Sequence, residues 1–418
     1  MFKPNPFSPG KRMTKPELFA GRKAQLRGAV RVMAQAAAGN SRHALITGER
    51  GIGKSSFSSQ LQGIARGDDA HLRLVDATKN DLPHNFLVVE HIALEGQGPA
   101  ELAAGLLKEL EAARGLKRFL KYNLEFAIDL GPFSTSAKQK EATPQDTVVK
   151  FIDELEKVVE ATKGKVDGII LLIDEVDRVA ATKGVSTFLK ATTERLSHRG
   201  MDNVAFFLVG IVGTLDALRQ EHASVARVFK LLEVPLLRED EGAELVKKAL
   251  DGTGIRVTDG GMAAIFSYSG GYPNAVHLIG EAAYEIASDG DEVIDEDVVR
   301  EAVATVVQGS AREDYDPLYL KFKGRSRGIV RFIAAHDKVD VPSAEIVTHL
   351  KVKPTQVSAN FDTLLRADVL VRPKKGHYRL REPLCREYLR YLDSTGDEPV
   401  QRRPERRMRG GGEEEEEG

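Results

Sequence analysis

Gly48-Glu49-Arg50-Gly51-Ile52-Gly53-Lys54-Ser55 decides how this chain is read. The eight residues fit G-x-x-x-x-G-K-[ST], the pattern of a phosphate-binding loop. They follow a short apolar run, Ala44-Leu45-Ile46, and open onto a segment that can be helical. The glycines let the backbone wrap phosphates with its N–H groups turned inward, and the helix start adds a field that favours anions. Lys54 is placed to reach the β- and γ-phosphates and the Ser55 hydroxyl to bind Mg²⁺. The candidate nucleotide-binding segment runs from Gly48 through Ser56, with Glu49, Arg50, Gly51, Ile52 and Gly53 forming the turn.

A second motif supports the first. Gly168-Ile169-Ile170-Leu171-Leu172-Ile173-Asp174-Glu175 is an unbroken apolar run tipped by two acids. Such a run reads as a parallel strand buried on both faces. Its carboxyl end is where open α/β sheets bind ligands. Asp174 is the candidate Mg²⁺ ligand, directly or through water. Glu175 is the candidate that polarises the water attacking the γ-phosphate. Together the two motifs predict an ATP and Mg²⁺ site.

The 418 residues are enough for two or three domains. A 42% apolar and 29% charged composition is that of a globular chain with a sizeable core. The single cysteine, Cys385, excludes an internal disulfide framework or a cysteine-built metal site. The first residues, Met1-Phe2-Lys3-Pro4-Asn5-Pro6, lack the apolar centre of a signal peptide, and the longest apolar runs are too short to cross a bilayer. A cytoplasmic protein without membrane partners is expected. The formal net charge of −2 names no partner, but it hides an asymmetry. Residues 321–409 carry 21 Lys or Arg against 11 Asp or Glu. A basic carboxyl-terminal module suggests a polyanion partner.

Residues 1–15 form an extended arm, and Pro16–Ala38 a leading helical segment. Strands over His43–Thr47, Phe86–Leu94, the acid-tipped run and Val204–Val212 alternate with helices over Ser55–Ala65, Pro99–Ala113, Pro144–Ala161, Val185–Leu196 and Thr214–Glu221. Alternation predicts a parallel sheet across residues 16–234. Gly115–Thr143 is a hairpin or an irregular insertion. Four helices over Glu239–Leu250, Asp259–Tyr268, Pro273–Ala287 and Asp295–Val307 predict a helical domain over 235–308. A linker follows Gln308, and residues 393–418 are too poor in apolar side chains to pack.

This order of parts resembles the AAA+ ATPases, most of all their replication-initiator and origin-recognition branch with its prokaryotic relatives. The resemblance spans roughly residues 16–392. Phe19-Ala20-Gly21-Arg22 resembles the F-x-G-R segment that precedes the P-loop in such ATPases, so Phe19 and Arg22 are implied near the adenine. Phe206 to Thr214 stands at the family's sensor-1 strand, where members usually have asparagine or another polar residue and this chain offers Thr214, or no side chain at Gly213. Ser224-Val225-Ala226-Arg227-Val228-Phe229 resembles the segment bearing the arginine finger, which makes Arg227 the implied γ-phosphate contact from a neighbouring subunit. Gly270-Gly271-Tyr272-Pro273-Asn274 resembles the sensor-2 segment, so Tyr272 and Pro273 are implied to line the base pocket. Asn274 stands where many members have arginine, which leaves the coupling of hydrolysis to lid motion open.

The last module, over 309–392, has three short helices and then Arg372-Pro373-Lys374-Lys375-Gly376-His377 between two apolar triplets. It resembles a winged helix. In DNA-binding members the third helix enters the major groove and the wing meets the backbone. Thr355, Gln356, Ser358 and Asn360 are the candidates for bases or phosphates. Lys351, Lys353, Arg372, Lys374 and Lys375 are the candidates for phosphates. Winged helices also serve as dimer contacts. The expected fold class is therefore α/β: a three-layer P-loop parallel sheet of AAA+ type, a helical lid and a winged helix. The expected protein is an ATP-hydrolysing switch that controls a module binding double-stranded DNA, slow unless subunits associate. A second reading is a signalling or defence ATPase that assembles into a homo-oligomer on binding ATP, with the winged helix contacting protein as a lock.

Overall fold

In the computed structural model the described residues are 4–113, 144–397 and 399. The insertion expected over 115–143 and the arginine- and glutamate-rich end lie outside them. The chain folds as two compact units: residues up to Arg256 together with Gly271–His277, and Val257–Gly270 together with residues from Leu278 on.

The first unit is built on five strands, β1 (His43–Gly48), β2 (Phe86–Ile92), β3 (Gly168–Asp174), β4 (Val204–Ile211) and β5 (Phe229–Glu233). Their order is β2-β3-β4-β1-β5, and every neighbouring pair is parallel. Among the described residues these α-helices accompany them: α1 (Lys23–Ala37), α2 (Lys54–Ala65), α3 (Asp69–Arg73), α4 (Pro99–Ala112), α5 (Pro144–Thr162), α6 (Val185–His198), α7 (Thr214–Glu221) and α8 (Glu239–Leu250).

Side chains alternate across a strand, so alternate residues serve opposite faces. Leu45, Ile169, Leu171, Ile173, Phe206 and Leu208 share one core with α4, α5 and α6. Between them Ala44, Ile46, Ile170, Leu172 and Phe207 are just as buried. On their side α1 and α2 pack against β1 and β4. Burial on both faces explains why β1, β3 and β4 read as continuous apolar runs rather than alternating ones. The expected stripe on α5 is the buried one: Val148, Phe151, Ile152, Leu155 and Val158 all lie in that core.

Several boundaries differ from the expectation. The leading helix does not run through from Pro16. A short 3-10 turn over Pro16–Leu18 stops, the chain bends through Gly21 and Arg22 at positive φ, and α1 starts at Lys23. The arm is not free: Arg12 and Met13 bond to Ser59, Ser56 and Gln60 of α2, and Ser8 and Gly10 to His277 and Asn274. Strand β5 was not foreseen, because an edge strand with burial on only some positions carries no continuous run.

The second unit holds α9 (Asp259–Ser269), most of α10 (Pro273–Asp289), α11 (Glu296–Gln308), α12 (Ala311–Lys321), α13 (Arg325–Ala335), β6 (Val341–Pro342), α14 (Ser343–His349), α15 (Ser358–Arg366), β7 (Leu370–Val371), β8 (His377–Leu380) and α16 (Pro383–Thr395). Thr258 and Asp295 cap α9 and α11 by accepting the N–H groups of Gly261 and Val298 at 3.0 Å each. The helices expected to form a separate lid are divided: α8 belongs to the first unit, while α9 and α11 pack with the carboxyl-terminal elements. The expected linker shrinks to Gly309-Ser310 before α12. The tail also begins later. Helix α16 buries Leu384, Tyr388, Leu389 and Leu392, and it runs to Thr395, with Asp393 accepting from Arg331 at 2.6 Å. Among the described residues no helix is long and apolar enough to cross a membrane.

His43 opens β1 in a buried position, and its Nδ1 accepts the Phe206 N–H at 3.0 Å. Burial pushes its pKa down from 6.5 to about 4. A depressed histidine contributes stability that is complete above the unfolded value and fades as pH falls toward the folded one. Urea unfolding between pH 7.5 and pH 4.5 should therefore show a decline that His43→Gln flattens; an equal decline in both proteins would assign it elsewhere.

Candidate functional site

Strand β1 delivers the glycine-rich turn and α2 takes the chain away from it. Gly51 and Gly53 sit at φ +71 and +86, a left-handed backbone that favours glycine. A Cβ on Gly53 would also lie 3.0 Å from the Arg22 guanidinium. Ile52 is buried, whereas Arg50 and Gly51 are exposed at the tip. Lys54, the first residue of α2, donates from Nζ to the carbonyls of Gly48 and Glu49 at 3.1 and 2.8 Å. Its ammonium is thus folded back over the turn. Ser55 is half-buried beside it. Ser56 faces elsewhere: its Oγ accepts the Met13 N–H at 2.9 Å, so it holds the arm.

The acid-tipped strand ends at the same edge of the sheet. Ile173 lies level with Leu208 of β4, which lies level with Leu45 of β1. Asp174 therefore stands about two strand spacings, roughly 10 Å, from the β1 track and just below the turn. It is buried, and its Oδ1 accepts the Glu175 N–H at 2.8 Å. Glu175 adopts φ +55 and pairs with Arg178. Asp177, which the sequence reading passed over, accepts the Ile211 N–H at 3.2 Å and so ties the exit of β3 to the end of β4.

Arg22, implied near the adenine, stands against the glycine turn. It is 3% exposed, and its backbone N–H donates to Glu241 Oε1 of α8 at 2.9 Å. Around it Gly21 donates to Glu244 at 3.2 Å, and Lys248 donates to the Phe19 carbonyl at 2.7 Å. The tetrapeptide is pinned by α8, and Phe19 is buried as packing. The Arg22 guanidinium reaches Gly53, yet its Nε and Nη2 have no hydrogen-bond partner. Burial pushes its pKa down to about 10 against the pull of Glu241. A buried cation with unspent donors is costly unless an anion meets it.

Tyr272 and Pro273 are brought to the same turn. The Tyr272 hydroxyl donates to the Glu49 carboxylate, and Pro273 approaches Gly53. Thr214 is buried at the start of α7, where its hydroxyl donates to the Ile211 carbonyl at 2.7 Å. It serves that turn. Arg227 is exposed just before β5. Phe229 pairs with His43, at the opposite end of β1 from the glycine turn. Five residues of strand, about 17 Å, separate those levels, so Arg227 is remote from the turn of its own chain.

In the second unit β8 pairs with both β6 and β7, so the hairpin is part of a three-stranded antiparallel sheet. Lys351, Lys353, Thr355, Lys374 and Lys375 are exposed. Ser358, also exposed, contacts the Thr355 carbonyl at 3.5 Å. Three candidates are engaged internally. Asn360 donates to Ser326 of α13 at 2.9 Å. Gln356 accepts the Lys353 N–H at 2.8 Å. Arg372 donates to the Tyr378 hydroxyl at 2.8 Å, and that ring stacks on Phe361 with centroids 4.1 Å apart. Arg325, missed in the sequence, is exposed and bonds to the Gln356 carbonyl at 3.3 Å, beside the candidate DNA contacts.

The chain shares the AAA+-type P-loop fold of solved structures at low sequence identity. A Walker-type ATPase of Pyrococcus abyssi superposes with a TM-score of 0.58 at 17% identity, over 91% of this chain and 99% of that one. The ORC2 protein of Aeropyrum pernix, solved with ADPNP and ADP, superposes with a TM-score of 0.56 at 16% identity, over 90% and 94%. In sequence, an uncharacterized HTH-type transcriptional regulator of Methanocaldococcus jannaschii is 23% identical over 310 residues, 72% of this chain and 71% of the relative. No protein-family model matches the chain.

The unspent donors of Arg22 make a two-sided test. Arg22→Met should leave the unfolding temperature of the protein alone within a few degrees or raise it, because a buried unpaired charge is removed. It should weaken ATP binding about tenfold or more, the worth of one charged hydrogen bond. Calorimetric titration and a melting curve on the same sample read both.

Proposed function

We propose that the chain is a Mg-ATP-binding and ATP-hydrolysing switch whose carboxyl-terminal module binds double-stranded DNA. The observation that carries the nucleotide reading is the buried Arg22 guanidinium, with two unspent donors, set against the glycine turn. The turn, the helix start and Lys54 converge there, and each favours the same anion. In this reading Arg22 meets phosphate rather than the base.

Among the described residues no group of three or more His, Cys, Asp or Glu side chains could enclose a metal. Mg²⁺ is usually held by one or two carboxylates together with substrate phosphates. Asp174 and Ser55 would hold it, and it would neutralise charge on the phosphates. Lys54 moves from the Gly48 and Glu49 carbonyls to the phosphate oxygens. Glu175 leaves Arg178 to orient the attacking water. Arg227 lies too far from its own turn to help, so it acts only on the nucleotide of a second copy. This supports slow turnover by the single chain, and it keeps ATP-driven self-assembly as a second reading.

In the second unit Lys353, Lys374, Lys375 and the newly found Arg325 supply phosphate contacts. Thr355 and Ser358 stand at the start of α15, the helix that would enter the groove. The HTH-type name of the archaeal relative supports the same module assignment. Asn360 and Gln356 are committed internally, so they position the helix rather than read bases. We assign the winged-helix module to residues from α13 onward, with the β7–β8 hairpin as its wing.

Lys54→Ala should abolish ATP binding, whereas Glu175→Gln should bind ATP normally and fail to release phosphate; unchanged turnover in the second variant removes Glu175 from the mechanism. For the DNA arm, the double variant Lys374→Ala/Lys375→Ala should weaken duplex binding and lower the slope of log affinity against log salt by about 2. A duplex titration at several salt concentrations measures it. Absence of duplex binding at low salt, with assembly on adding ATP, would favour the second reading.

A further inference from the structure

Residues 5–14 form a band of contacts that the nucleotide reading does not use. The Asn5 side chain accepts the Phe7 N–H at 3.1 Å. Phe7 is buried, edge-on to His277 with centroids 6.0 Å apart, and the Ser8 N–H donates to His277 Nδ1 at 3.4 Å. The Gly10 N–H donates to Asn274 Oδ1 at 2.8 Å. Arg12 then donates to Ser59 of α2, and to Glu90 of β2 at 2.7 Å. The Met13 N–H donates to Ser56, and Gln60 returns a bond to the Met13 carbonyl at 2.8 Å. Ser56, Ser59 and Gln60 are spaced three and four apart, on one face of α2.

These anchors have a pattern. One set lies on the helix that begins with Lys54. The other lies on Asn274 and His277, directly after Tyr272 and Pro273, which close on the glycine turn. The two walls of the turn are thus joined by a third piece of chain. Parting them to exchange a nucleotide requires breaking either the Asn274–His277 anchor or the Ser56–Ser59–Gln60 anchor. Burial pushes His277 down to about 4, so it stays neutral and keeps an acceptor nitrogen for the Ser8 N–H near neutral pH.

We propose that residues 5–14 are a strap that retains the bound nucleotide: it closes over the glycine turn's two walls and sets the rate at which nucleoside diphosphate leaves. The strap rests on the nucleotide reading above. Its chemistry is main-chain hydrogen bonding plus two side-chain anchors, the Phe7 ring and the Arg12 guanidinium. Arg12 is the better one to remove, because its side chain is 29% exposed and no cavity follows.

The test uses the full chain and a fluorescent N-methylanthraniloyl-ADP with Mg²⁺, chased by excess ATP in a stopped-flow instrument. Arg12→Gln should speed dissociation about tenfold, in line with the loss of a charged hydrogen bond, and Phe7→Ala/Arg12→Gln should speed it further. Melting curves of both variants establish that they are folded, and Arg12→Gln alone suffices if the double variant is not. Dissociation at the wild-type rate in folded Arg12→Gln overturns the strap and leaves the nucleotide site standing. No binding of the analogue by the wild-type chain overturns both.

Discussion

Everything at the site depends on five parallel strands ending at one edge. Parallel pairing fixes the direction of each strand, so the glycine turn after β1 and the acids after β3 must emerge on the same side. Strand β4 between them sets the gap at about 10 Å, room for a phosphate chain with its counter-ion. The same constraint sends the start of β5, and with it Arg227, to the far edge. One topological fact therefore brings Lys54 and Asp174 together and keeps Arg227 away from both.

Charge is held at this edge by partners that can be exchanged. Lys54 rests on two carbonyls, Glu175 on Arg178, and Glu49 on Tyr272. Each is a hydrogen bond or half-exposed ion pair that another polar partner can replace. Arg22 differs. Its backbone is locked to Glu241, its guanidinium is buried, and two donors remain unspent. A fixed cation beside a movable one, Lys54, is what the proposed nucleotide site rests on. The carboxylates that fix it, Glu241 and Glu244, come from α8, about 220 residues later in the chain.

Much of this was legible in the residues. The P-loop, the acid-tipped strand and the stripe of α5 are local patterns, and spacing along a few residues defines them. The long helices of the second half read well for the same reason, with Thr258 and Asp295 marking their starts. What local pattern missed was set by partners far away. Strand β5 alternates weakly because only β1 pairs with it. Helix α16 was not among the elements read, because its apolar residues find their partners on α9, α11 and α13. The arm read only as extended because its binding is mostly through main-chain groups, which no side-chain pattern reports.

The sequence alone determined the glycine-rich turn, the buried character of the central strands and the basic surplus of the last module, since each depends on residue type and short-range spacing. Tertiary structure alone decided which candidates meet. It turned Arg22 onto the glycine turn, Thr214 and Ser56 to structural bonds, and Asn360 into the protein. The reason is physical: a side chain's partners follow from how distant segments pack, and hydrogen-bonding groups are committed only when that packing is complete.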